Sequence, residues 1–142
     1  MAHYETYYDH APVVRSGGSN AAGFPAVTTF ENTFDASRRT LEAEDTVDVL
    51  QLPAGSRVMH VFVEVVQGAA DVSINVGDGD AGDAYFAEQS IATDGLRAEA
   101  DGASASGKFY AEGGTLQIGI PAGGTTMEEG RVRVVAAVAA MG

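Results

Sequence analysis

The chain has 142 residues, enough for one hydrophobic core and too few for two comfortable ones. Twenty acidic against eight basic side chains give a formal net charge of −12, spread along the chain, which disfavours both nucleic-acid backbones and anionic lipid as partners. The absence of cysteine excludes a disulfide framework, a thiolate metal site and a cysteine nucleophile, and the N-terminus shows no basic start followed by an apolar run, which reads as a soluble protein without a secretion signal.

From Met1 to about Asp45 large apolar residues are sparse and mostly aromatic: Tyr4, Tyr7, Tyr8, Phe24, Phe30 and Phe34. Between them, Ser16-Gly17-Gly18-Ser19-Asn20 and Gly23-Phe24-Pro25 break any period. Residues 1–45 therefore read as an N-terminal arm whose six rings are candidate anchors for a partner protein, or as a segment folded back over its own domain. Asp35 to Glu42 reads either as one helical turn capped by Asp35 or Ser37 or as a charged crossover.

Residues 46–142 read as the folded domain. Thr46 to Leu52, Arg57 to Val66, Asp71 to Val76, Tyr85 to Ala87, Lys108 to Ala111, Thr115 to Ile120 and Gly130 to Ala139 are strand candidates. Several, such as Val61-Phe62-Val63-Glu64-Val65 and Leu116-Gln117-Ile118, alternate with period two and so offer one apolar face to a core. Pro53-Ala54-Gly55-Ser56 predicts a hairpin between the first two, because proline presets φ and glycine accepts a positive one. Glu112-Gly113-Gly114 predicts a second hairpin, and Thr93 to Gly107 a long surface loop. Eighteen glycines without a Gly-X-Y period supply the turns that many short strands need. The expectation is an all-β, antiparallel sandwich or jelly roll of about eight strands carrying an extended N-terminal arm.

Chemistry-bearing motifs are few. Asp78, Asp80 and Asp83 sit in a glycine-rich loop and are candidate oxygen ligands for calcium, although the spacing departs from an EF-hand: Gly82 and Gln89 occupy positions where ligands belong. Asp-Gly runs are also ordinary turn chemistry. His3, His10 and His60 match no zinc spacing, and no Gly-x-Ser-x-Gly elbow is present. His60 lies on the strand face opposite Val61, Val63 and Val65, as a surface or edge residue. Arg38-Arg39 is the one adjacent basic pair. No catalytic set and no cofactor motif emerges.

The run Leu50-Gln51-Leu52-Pro53-Ala54-Gly55-Ser56-Arg57-Val58 leads into a valine-rich strand, and Val76-Gly77-Asp78-Gly79-Asp80 follows, then Asp83-Ala84-Tyr85-Phe86. Over roughly Thr46 to Ala139 this resembles the head decoration (cement) proteins of tailed bacteriophages. The resemblance implies a non-enzymatic role on the outer capsid surface of a virion, as a homotrimer that clamps neighbouring subunits of the major capsid protein. Multivalent attachment and an aromatic arm suit such a role physically. The alternative from another class is a calcium-dependent carbohydrate-binding jelly-roll module using the acidic loop, against which stands the lack of tryptophan. A cupin-like or lyase-like enzyme would need a histidine cluster on strands, and only His60 is on one.

Overall fold

The computed structural model describes residues 3–4, 13–17, 27–100 and 108–140. Among them are eleven strands and no helix: β1 (His3–Tyr4), β2 (Val13–Gly17), β3 (Val27–Asp35), β4 (Thr46–Leu52), β5 (Ser56–Gln67), β6 (Ser73–Asp78), β7 (Phe86–Ser90), β8 (Arg97–Glu99), β9 (Lys108–Tyr110), β10 (Gly114–Gly119) and β11 (Arg131–Ala140). They form two sheets. The first runs β1-β4-β10-β6-β7, and the second β2-β3-β11-β5-β8 with β9 also paired to β5. Every ladder is antiparallel except the short β1–β4 pair. The expected all-β sandwich is thus the architecture found.

Period-two alternation places the core between the sheets. Val47, Val49, Leu116, Ile118, Ile74 and Val76 face it from the first sheet, and Val58, Val61, Val63, Val65, Val132 and Val134 from the second, all with at most 1% exposure. The β4 bounds are those read from the sequence. Two pairings differ. The Pro53–Ser56 turn forms, with Gly55 at φ 80° and Ser56 Oγ donating to the Pro53 carbonyl at 2.6 Å. It joins no hairpin, because β4 lies in the first sheet and β5 in the second. Likewise β9 pairs β5 while β10 lies between β4 and β6, so residues 111–113 cross between sheets. Alternation reveals which face of a strand is buried but not which strand lies beside it, and the same turn residues serve a corner or a hairpin.

The sandwich also takes in chain that the sequence reading assigned to the arm or to a loop. Within the 1–45 segment, β3 pairs β11 over nine positions, Phe34 and Leu41 are fully buried, and Leu41 bridges Met127. Asp35 closes a turn by accepting from Ser37 N–H and Oγ–H, and no helix follows. Within the 93–107 segment, β8 adds to the edge of β5, and Leu96, Ala98 and Ala100 pack on the core.

One irregularity matters for packing. The β4–β10 register slips between Leu116 and Gln117, leaving Val49 without a ladder partner between Asp48 and Leu50. Asn32 of β3, only 3% exposed, crosses from the other sheet and donates Nδ2–H to the Val49 carbonyl at 3.0 Å. Its own Oδ1 accepts from Thr33 N–H.

Candidate functional site

The most developed polar site is built around Asp78, the last residue of β6. Asp78 stands opposite Leu116 in the ladder and therefore shares its inward face, following Ile74 and Val76 at period two. A carboxylate at a core position needs donors, and the fold brings four. Oδ1 accepts from the backbone N–H groups of Asp80 and Ala81, each at 2.9 Å. Oδ2 accepts from Lys108 Nζ and, at 2.7 Å, from Tyr110 Oη. Lys108 and Tyr110 come from β9 in the opposite sheet, two residues apart and so on one face. Because the Tyr110 proton goes to the carboxylate, Tyr85 Oη donates in turn to Tyr110 Oη, at 2.6 Å.

Two glycines make room for this arrangement. A Cβ on Gly77 would lie 2.1 Å from the Ala81 carbonyl oxygen, so only glycine lets the 78–81 loop fold back and aim its N–H groups at Asp78. A Cβ on Gly114 would strike the Tyr110 ring at 2.4 Å, which shows how closely that ring lies on β10.

Burial acts to raise the Asp78 pKa, but donation from Lys108, Tyr110, Ala81 and Asp80 together outweighs it and holds the group below its ordinary value of 3.8. The same hydrogen bond raises Lys108 above its ordinary range. Burial raises Tyr85, and burial with the hydrogen bonds to Tyr85 and Asp78 raises Tyr110, so both phenols stay protonated. A carboxylate has about four lone-pair sites, and here all four are filled. In this state Asp78 has no lone pair left with which to ligate an ion or to act as a base toward an added substrate. The site opens to solvent through a cleft of about 360 Å³ whose lining includes His3, Asp48, Asp80 and Gln117.

The other residues singled out from the sequence are dispersed. Asp80 and Asp83 are exposed in the loop, and among the described residues no group of three His, Cys, Asp or Glu side chains converges in metal-binding geometry. His3 bonds Thr46 Oγ1 at 2.6 Å and lies 3.4 Å from Asp48. His60 is on the outer face of the second sheet, 3.4 Å from Glu99, and His10 lies outside the described residues. Of the six rings, Tyr7, Tyr8 and Phe24 also lie outside the described residues. Tyr4 is half-buried under the Arg39 guanidinium, which is 4.2 Å from the ring centroid. Phe30 is half-buried and borders a cleft with Leu52, Pro53 and Glu112. Phe34 is in the protein's own core and is not presented to any partner in this fold.

The sequence reading missed Lys108, Tyr110 and Tyr85 as partners of Asp78. A signal was present: Lys108 is the single lysine of the chain, the other seven basic residues being arginine. Charge is also divided between the sheets. No strand of the first sheet contains Lys or Arg. On the outer face of the second, Arg97 covers Phe62 at 3.8 Å and pairs with Glu99, while Arg133 pairs with Glu64.

No protein-family model matches the sequence, and no curated protein matches it. Solved structures do. The chain is similar to one in the capsid of Ralstonia phage GP4, with 15% identity, a TM-score of 0.65 and coverage of 97% of each chain. It is similar to one in the cyanophage Pam1 capsid asymmetric unit, with 20% identity, a TM-score of 0.56 and coverage of 94% of this chain and 89% of that one. A third is in the acidic stable capsid structure of Helicobacter pylori bacteriophage KHP30, with 12% identity, a TM-score of 0.57 and coverage of 89% and 93%. At these identities the likeness is one of fold, and it extends over nearly the whole of each chain.

Proposed function

We propose that this chain is a non-enzymatic structural protein of a bacteriophage virion, which decorates the outer capsid surface as a homotrimer and stabilises the shell by bridging neighbouring subunits of the major capsid protein. The observation that carries this reading is the near end-to-end likeness, in both directions, to chains of three phage capsids. Such coverage means that each matched chain is itself a single sandwich of about this size, so the comparison is between whole small chains. The net charge of −12 favours the outside of a DNA-filled shell over the inside, where phosphates would repel it. A two-sheet body with a buried apolar core suits a clamp, because it holds its contacts at fixed spacing.

The test is cosedimentation of the purified protein with DNA-free shells assembled from the major capsid protein of the same virus, followed by thermal disruption of the decorated and bare shells. Saturable binding and a higher disruption temperature are expected, with light scattering giving the mass of three chains for the free protein. Failure to sediment with shells would overturn the decoration role, and a monomer or dimer would overturn the trimer.

A further inference from the structure

We propose that Lys108 Nζ condenses with the Asp78 carboxyl to form an isopeptide amide, which ties the two sheets together covalently and releases one water.

The groups around the Asp78 carboxyl are those an acyl substitution needs. Lys108 Nζ is the nucleophile, already in contact with the carboxyl and carried on a strand of the opposite sheet. The N–H groups of Asp80 and Ala81, both 2.9 Å from Oδ1, form a two-donor pocket for the oxyanion that develops there. Tyr110 Oη–H, on Oδ2, serves the departing oxygen, with the Tyr85 hydroxyl behind it. Strands fix both backbones, and for intramolecular reactions so held effective molarities reach about 10⁵–10⁸ M, which offsets the reluctance of an amine and an acid to condense in water. The Asp78 side chain is 2% exposed, so few waters compete, and the adjoining cleft gives the released one an exit.

The atoms balance without a co-reactant. The resting pair is ammonium and carboxylate. One ammonium proton moves to Oδ2 along the existing hydrogen bond and leaves a neutral amine. The Nζ–Cγ bond forms as the C=O electron pair moves onto Oδ1. When that pair returns, the Cγ–Oδ2 bond breaks. A second proton, passed from Nζ to Oδ2 where the two are in contact, completes the water, and the third remains as the amide N–H. The ionised resting pair keeps the neutral amine–acid form rare, so condensation is slow and the bond forms as the folded protein stands.

The choice of residue supports a chemical role. Arginine is the better static partner for a buried carboxylate, being bidentate and permanently charged. The chain uses arginine at its seven other basic positions and places its single lysine here. Only lysine offers an amine that can be acylated.

The experiment is intact-mass spectrometry of the full chain when freshly purified and after prolonged incubation, with digestion by trypsin, which also cuts after Arg97 and so separates Asp78 from Lys108 unless the two are joined. The expected mass falls to one water below that of the sequence, cleavage after Lys108 is lost, and a branched peptide joins the segments containing Asp78 and Lys108. Lys108→Arg keeps the cation and should keep the full sequence mass throughout. A wild-type mass that stays at the sequence value overturns the proposal. So does a water loss that persists in Lys108→Arg, which would mark a succinimide at an Asp-Gly step instead. The bond concerns this chain alone, so its absence would leave the virion reading untouched.

Discussion

Replacing Asn32 with valine tests whether the bulge in β4 is held by the sheet facing it. The slip between Leu116 and Gln117 leaves Val49 without a register partner in β10, and Asn32 Nδ2–H donates to its carbonyl at 3.0 Å from the other sheet. Valine is smaller by little, suits a strand and adds apolar surface at a site only 3% exposed, which favours it by less than about 1 kcal/mol. Against that, a buried carbonyl left unpaired costs about 1–3 kcal/mol. The net expectation is a loss of about 1–2 kcal/mol. Unfolding entropy of about 2.1 cal/mol/K per residue gives about 0.3 kcal/mol/K for a chain this long, so the melting temperature should fall by about 3–7 °C. The assay is reversible thermal unfolding followed by far-UV circular dichroism, with a urea titration to confirm that the m-value is unchanged. Asn32→Asp should cost more, because it sets a buried charge against the same carbonyl. If Asn32→Val melts at or above the parent temperature, the Val49 carbonyl has no need of this donor and the reasoning fails.

Two further outcomes follow from the Asp78 site. Asp78 has its folded pKa below the ordinary 3.8, so its contribution is complete above the unfolded pKa and is lost as pH falls through the lower folded value. In uncondensed protein, Asp78→Asn should be about 3 kcal/mol less stable than the parent at pH 7, the lower end for breaking a buried pair because Lys108 is one-third exposed, and the gap should close only below pH 3.8. A gap that is constant from pH 7 to pH 2 would contradict this. Gly77→Ala forces a Cβ to within 2.1 Å of the Ala81 carbonyl oxygen and should cost about 1–3 kcal/mol or more by urea denaturation, whereas Gly82→Ala, with nothing within 4 Å, should be nearly neutral. Equal effects at the two positions would show that the 78–81 loop is not tightly closed.

The strands that sequence alone reveals are those whose inward residues are all aliphatic. Val47 and Val49 in β4, Val61, Val63 and Val65 in β5, and Val132 and Val134 in β11 repeat at period two without interruption. In β3 the inward series is Phe30, Asn32, Phe34, and the polar member makes the stretch look like a polar linker. Only the bulge in β4, a tertiary feature, explains why asparagine belongs there. β8 is too short for any periodicity to register. Asp78 stood out for its acidic loop, yet what defines its environment comes from residues 30 and 32 positions later, brought near by a strand in the other sheet. Nothing in local spacing carries that information.

A core made largely of aliphatic side chains, valine the commonest, is nearly indifferent to how the two sheets lie on one another, since dispersion and area burial have no strong direction. Directional contacts must choose the arrangement, and here two polar crossings do so. Asn32 ties β3 to β4, and Lys108 with Tyr110 ties β9 to β6. In the strand orders, β4 and β6 flank β10, while β3 and β5, the strand on which β9 is paired, flank β11. The crossings therefore stand on either side of the central strands, and a rotation or slip of one sheet over the other cannot preserve both. Within each sheet a one-residue slip is already costly, because it turns every core side chain outward. Between sheets the aliphatic side chains impose no such rule. The two buried polar contacts, each fully satisfied only in this alignment, impose it instead.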